Sequence, residues 1–149
     1  MGLINNMFQI IYFSKATDTP TIPTLLDIQE HSIKNNQQNN VTGMLTVVNN
    51  HFIQVLEGDE HNVMETFNRI HHDKRHCEVH IVAKRTIYQR DFGRWWMGVN
   101  ANLDTQERSD SFYILSNYLN FEQLDDVHVD SLLMLLRGLA GEHQRELVI

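Results

Sequence analysis

The stretch TGMLTVVNNHFIQVLEGD, Thr42 to Asp59, reads as strand, tight turn and strand. Apolar and β-branched residues flank Asn49-Asn50, and asparagine tolerates the positive φ that a two-residue hairpin turn demands. Side chains alternate along a strand, so Phe52, Gln54 and Leu56 share one face while Ile53 and Val55 share the other. Both faces are apolar except at Gln54. An amide left unpaired in such a layer costs roughly 1–3 kcal/mol. Gln54 therefore needs a polar neighbour, and the remaining chain must supply it.

Upstream, Phe8 to Ser14 is a strand rich in β-formers, with Phe8, Ile10, Tyr12 and Ser14 on one face and Gln9, Ile11 and Phe13 on the other. Lys15 to Pro20 is a loop. A helix starts near Thr21, with Pro23 tolerated in its first turn. Ile22, Leu25, Leu26, Ile28 and Ile33 give it an apolar stripe of helical period. The six amides Asn35 to Asn40 suggest a frayed helix end and a polar loop. Downstream of the hairpin, Glu60 to His72 is a second helix with Val63, Met64, Phe67 and Ile70 as its core stripe and Arg69 off it. Val79 to Ile87 and Arg94 to Val99 are further strands. On the last, alternation puts Trp95, Met97 and Val99 on one face and Trp96 and Gly98 on the other.

The order β-α-β-β-α-β plus a fifth strand predicts an α+β fold: a ferredoxin-like sheet with both helices on one face. The second face, carrying Phe13, Ile53 and Val55, needs a cover. Two amphipathic helices near the C-terminus offer one. Phe112, Leu115 and Leu119 recur at helical spacing around residues 110–119, and Leu132, Leu133, Leu136 and Leu139 around residues 129–140. Residues 1–103 then form the main domain, and 104–149 a helical extension rather than an independent domain.

Bulk properties narrow the function. The chain of 149 residues suits one domain, with 42% hydrophobic and 21% charged residues. A net charge of −7 argues against nucleic acid and anionic membrane surfaces as partners. No apolar run reaches the length of a membrane span, and MGLINNMFQ lacks the pattern of a signal peptide. The single Cys77 fits a reducing compartment. The expectation is a cytoplasmic protein.

The stretch HHDKRHCEVH, residues 71–80, carries zinc-ligand residue types, but a helix end near Asp73 separates His72 from His76. No glycine-flanked serine elbow and no glycine-rich phosphate loop is present. Glu57 and Asp59 read as an acidic strand end. What remains is a set of groups on the helix side of the sheet. The first and third strands of a ferredoxin-like sheet are neighbours, which puts Tyr12 within reach of Gln54. Asn35 and Asn36 end the covering helix, and Arg69 projects from the other. A phenol, amides and one cation around a slot suit a planar heteroaromatic ligand with an anionic tail. The competing reading of each residue alone is structural: a core tyrosine usually bonds a carbonyl, and an arginine on a helix flank is usually solvated.

Several blocks, in order, resemble the BLUF family of flavin-binding blue-light sensors: IIYFSKAT, NN before VTGML, FIQVLEGD, NRIHHDKRH and WWM. The resemblance runs from about Phe8 to Val99, and the short extension resembles the stand-alone members, which have no output enzyme. It implies a non-enzymatic photoreceptor that binds FAD, with FMN as the alternative. Tyr12 would be the donor of an electron and proton, and Gln54 the amide bridging Tyr12 and the flavin. Asn36, with Asn35 beside it, would bond the ring carbonyl edge, and Arg69 the C2 side or the phosphate tail. Trp95 and Met97 match the pair proposed to relay the signal, and Ile28, Phe52 and Leu56 would form the apolar wall. Trp96 departs from the pattern and is expected beneath the C-terminal helices. The implied partners are a downstream signalling protein and a second copy of the chain. The alternatives are a light-independent flavin- or metal-binding regulator and a ligand-free interaction module.

Overall fold

The computed structural model describes residues 7–101, 117–118 and 124–147. In chain order the elements are β1 (Met7–Ala16), α1 (Ile22–Asn39), β2 (Thr42–Val48), β3 (His51–Asp59), α2 (Glu60–His71), β4 (His76–Ile87), β5 (Gly98–Ala101) and α3 (Asp126–Leu147). The strands form one sheet in the order β4-β1-β3-β2-β5. β1 is antiparallel to β3 and β4, β2 is antiparallel to β3, and β5 lies parallel to β2 at the edge. This is the ferredoxin-like α+β arrangement with one added strand.

Local chemistry accounts for the elements. Asn49 and Asn50 turn the hairpin at φ 49° and 61°, both left-handed. Gly43 permits the tight β2–β3 contact, because a Cβ there would lie 2.1 Å from the Val55 carbonyl oxygen. Thr21 caps α1 by accepting from the Thr24 N–H. Asp59 does the same for α2, accepting from the His61 N–H at 3.1 Å.

Three boundaries differ from the sequence expectation, the simplest being β4, which begins at His76 rather than Val79. α1 does not fray at Asn35 but runs through Asn39. Asn40 adopts φ 52° and its N–H returns to the Asn36 carbonyl, so the amide run is capped helix. The last strand begins at Gly98 rather than Arg94. The preceding residues turn instead, with the Trp95 N–H bonded to the Phe92 carbonyl and the Trp95 carbonyl accepting from Gly43 N–H.

The sheet separates two cores. Phe8, Ile10, Tyr12, Leu45, Phe52, Leu56, Met97 and Val99 pack under α1 and α2 through Leu25, Val63 and Phe67. On the far face Ile11, Phe13, Met44, Ile53 and Val55 pack against Val129, Leu132, Leu133 and Leu136 of α3. Burying each such leucine is worth roughly 1.5–3 kcal/mol, so α3 is the expected cover. Tyr118 also joins this cluster. The expected helix around residues 110–119 otherwise lies outside the described residues, and so does the side chain of Leu139.

The tryptophans correct a second expectation. Met97 and Val99 belong to the helix-side core, but Trp95 packs against the far-face cluster. Trp96 is 37% exposed rather than buried beneath the extension. Without regular strand geometry at residues 95–97, period-two alternation does not apply.

Charged contacts tie α3 to the sheet at one end. Arg137 pairs with Asp91, and Arg85 with Asp130 at 3.3 Å. Beneath them Gln9 links Arg85, Asp91 and the buried Glu57. Glu57 is not a solvated strand end: it also accepts from the Asp91 and Phe92 N–H groups at 2.9 and 2.7 Å.

Candidate functional site

A cavity of about 230 Å³ opens between α1 and α2 on the helix side of the sheet. Its floor comes from strand residues whose side chains alternate toward that face: Tyr12 of β1, Leu45 of β2, and Phe52 and Gln54 of β3. One wall is α1, with Ile28, Ser32, Asn35 and Asn36 at helical spacing. The other is α2 and the turn after it, with Thr66, Arg69, Ile70 and Asp73.

Tyr12 and Gln54 are register partners on adjacent antiparallel strands. The Tyr12 hydroxyl donates to Gln54 Oε1, and both side chains are buried. Gln54 Nε2 points the other way and donates to Met97 Sδ at 3.4 Å. The amide is thereby oriented: its oxygen faces a hydroxyl donor, and its nitrogen faces a thioether that can only accept. A bulge between β1 and β4 at Ile11/Tyr12 shifts the pairing beside Tyr12, a common device for aiming a side chain. The Phe67 ring stands edge-on to Tyr12 at 5.4 Å.

Burial lifts the Tyr12 phenol well above its ordinary pKa, and the Asp73 carboxylate adds to the rise. Tyr12 is therefore a neutral hydrogen-bond donor. Asp73 itself is held below the usual carboxylate range by its hydrogen bonds to Arg75. Arg75 spans Asp73 and Asp27, at 2.6 and 2.9 Å, and so ties the turn after α2 to α1. Arg69 makes no ion pair among the described residues; its closest polar contact is Thr66 Oγ1 at 3.5 Å.

The remaining expected residues fall as follows. Tyr12, Ile28, Asn35, Asn36, Phe52, Gln54 and Arg69 all line the cavity. Leu56 does not; it packs in the core layer behind it. Met97 lies behind Gln54, touching it but not the cavity. Trp95 is on the opposite face of the sheet, so Trp95 and Met97 are not alternative neighbours of Gln54 here. Asn36 is buried and donates to the Trp96 carbonyl at 2.6 Å.

Sequence reasoning overlooked Ser32, Thr66, Asp73, Arg75 and His76 as lining residues. His76 came under scrutiny only as a zinc ligand. It is buried, its Nε2–H donates to the Ile70 carbonyl at 2.7 Å, and Nδ1 meets Ser14 Oγ at 2.7 Å. Among the described residues no group of three or more His, Cys, Asp or Glu side chains converges on a metal position. The signal for His76 was its register on a strand that begins at residue 76 rather than 79.

The donor set fits a flat heteroaromatic group with an anionic tail. Ile28, Leu45, Phe52 and Ile70 offer apolar surface. Gln54, Asn35 and Asn36 offer edge hydrogen bonds, and Arg69 is a cation at the rim.

The family model described as "BLUF: Sensors of blue-light using FAD" matches residues 7–98. The chain belongs to the BLUF family. It is thus a member of a family of blue-light flavin sensors. Among relatives, the photoactivated adenylate cyclase subunit beta of Euglena gracilis is 31% identical over 111 residues, covering 74% of this chain and 13% of the relative. The blue light- and temperature-regulated antirepressor BluF of Escherichia coli strain K12 is 30% identical over 101 residues, covering 68% of this chain and 25% of the relative. The chain therefore spans a minor part of these BLUF relatives. The dark-state structure of the BLUF protein BlrB superposes with a TM-score of 0.74 at 20% identity, covering 91% of this chain and 98% of that one. The photo-activated state of BlsA gives 0.74 at 22% identity, covering 88% and 94%. Both likenesses concern the fold. A further BLUF-fold neighbour, Klebsiella pneumoniae BlrP1, is described with FMN. No described helix is long and apolar enough to cross a membrane.

Proposed function

We propose that this protein senses blue light through FAD held non-covalently in the cavity between α1 and α2, and acts as a signalling module without enzymatic activity of its own. The observation that carries the reading is the hydrogen bond from Tyr12 to Gln54 at the cavity floor, with Met97 behind Gln54 as its second partner. The phenol and the amide satisfy each other in the protein, and they do so on the floor of a cavity whose rim carries an arginine, where a planar ligand would meet them both.

The bound flavin would supply the absorption of blue light and the capacity to accept an electron. The chain's residues do the rest. Ile28, Phe52 and Ile70 exclude water from the ring, and Asn35 and Asn36 bond its polar edge. Arg69 neutralises a phosphate. Tyr12, neutral and already donating, would supply an electron to the bound flavin, and its hydroxyl proton would follow by way of Gln54, whose Oε1 takes that proton as its Nε2 gives one up to the flavin. Reversal or tautomerisation of the Gln54 amide would exchange its donor and acceptor ends where they face the bound group. Met97, bonded to the same amide, carries the change to the segment that enters β5. From there it reaches the sheet face under α3 and a partner protein or a second copy of the chain. The extension at 104–149 is the output element in this reading.

The test is optical. Purified protein should carry flavin, which chromatography after denaturation identifies as FAD or FMN. Blue light should produce a small red shift of the flavin bands that reverses in darkness. A protein that takes up no flavin, or flavin bands unmoved by light, would refute the proposal.

A further inference from the structure

Gln29 sits on α1, wholly buried, one turn from the cavity wall but turned away from the cavity. Its Nε2 donates to the Met97 carbonyl at 3.1 Å, while its Oε1 is buried with no hydrogen-bond partner among the described residues. Two helical turns on, Asn36 donates to the Trp96 carbonyl. One helix thus holds two consecutive carbonyls with two side-chain amides. These carbonyls belong to the segment just before β5, whose pairing with β2 starts only at Gly98. Met97 is not fixed by the sheet ladder, and side chains of α1 fix it instead.

This matters because Met97 is also the residue whose Sδ meets Gln54 Nε2. A thioether is a weak acceptor, and at 3.4 Å a small displacement of Met97 would lose it. An apolar side chain in place of Gln29 would fill the same buried space and remove the unpartnered Oε1, but it would strip the Met97 carbonyl of its donor, so the amide serves that carbonyl rather than the packing.

We infer that Gln29 is a positioning residue for the light switch. By holding the Met97 carbonyl it sets the approach of Met97 Sδ to Gln54, and thereby how strongly the dark orientation of the Gln54 amide is preferred. The inference rests on the flavin-sensor reading above. If the hold on Met97 is removed, the dark arrangement loses part of its advantage while Tyr12 and Gln54 stay in place. Return from the lit state then slows.

The experiment uses the full chain loaded with FAD and compares wild type, Gln29→Met and Gln29→Leu, each alone and with Met97→Leu. Flavin content and the dark spectrum report whether the site is intact. The expected result is a normal red shift with dark recovery slowed about fivefold, the ratio carried by one hydrogen bond of ordinary net strength. In the Met97→Leu background, where no sulfur meets Gln54, the Gln29 substitutions should leave recovery unchanged. Recovery in both single variants that is unchanged or faster overturns the inference. So does slowing of equal size in the Met97→Leu background. A wild type without any red shift overturns the flavin-sensor reading instead, so the two failures are distinct.

Discussion

Tyr12 and Gln54 stand opposite each other across β1 and β3, and the phenol hydroxyl donates to the amide oxygen in a layer closed to solvent. Each satisfies a group the other would leave bare. Tyr12→Phe keeps the ring and its edge contact with Phe67 but strips Gln54 Oε1 of its donor. It should retain flavin, lose the light-induced shift, and lower the urea unfolding free energy by about 1–3 kcal/mol. A normal photocycle in this variant would remove Tyr12 from the switch.

Because burial and Asp73 both raise the Tyr12 pKa, the phenol stays protonated well past the ordinary tyrosine midpoint of about 10. The amplitude of the red shift should therefore be level from about pH 6 to about pH 10. A loss of amplitude that titrates with the ordinary midpoint would contradict the buried, neutral donor.

Glu57 gives a second pH dependence, in stability. Burial raises its pKa above the ordinary 4.5, and the bonds from Asp91, Phe92 and Gln9 offset part of the rise. The folded chain thus keeps this proton to a higher pH than the unfolded chain. The contribution of Glu57 is fully present below its unfolded pKa and is lost as pH rises through the folded value. Glu57→Gln removes the titration. The stability advantage of wild type over this variant in urea should fall as pH is raised above 4.5, then level off. An advantage that grows with pH would contradict the assignment.

Arg69 is exposed and paired with no carboxylate among the described residues. If it meets a phosphate, Arg69→Ala should weaken FMN binding by roughly fivefold to tenfold and leave riboflavin binding within about twofold of wild type. Equal losses for both ligands would place Arg69 elsewhere.

Thr46 and Asn100 are neighbours in the parallel β2–β5 pair. Both are buried, and Thr46 Oγ1 and both amide atoms of Asn100 lack partners among the described residues. Thr46→Val replaces an unpaired hydroxyl with a methyl of similar shape and should raise the unfolding free energy by about 1 kcal/mol. Destabilisation of that size would show that the hydroxyl has a partner in solution.

The hairpin and the helix-side layer were legible because period-two alternation is strict over β1 and β3, and Asn49-Asn50 has one good conformational use. The leucines of α3 were legible because an open sheet face must be covered. The end of α1 was not. Asparagine is a poor helix former and four of the six amides are asparagine, yet the left-handed cap at Asn40 and the burial of Asn36 help carry the helix through them. Nor was the approach to β5. Trp95-Trp96-Met97 has strand composition, but its carbonyls bond Gly43 N–H and the Asn36 and Gln29 side chains rather than a regular ladder. The aromatic pair therefore splits differently from a strand's alternation. Glu57 hid because an acidic residue at a strand end is ordinarily solvated, and nothing local marks the Gln9–Asp91 network that covers it.

The most direct test compares light-minus-dark difference spectra of wild type and Gln54→Leu, both loaded with FAD. The account predicts a reversible red shift in wild type and bound flavin with no shift in Gln54→Leu, since leucine fills the layer but offers neither donor nor acceptor. A red shift of wild-type size in Gln54→Leu would contradict it.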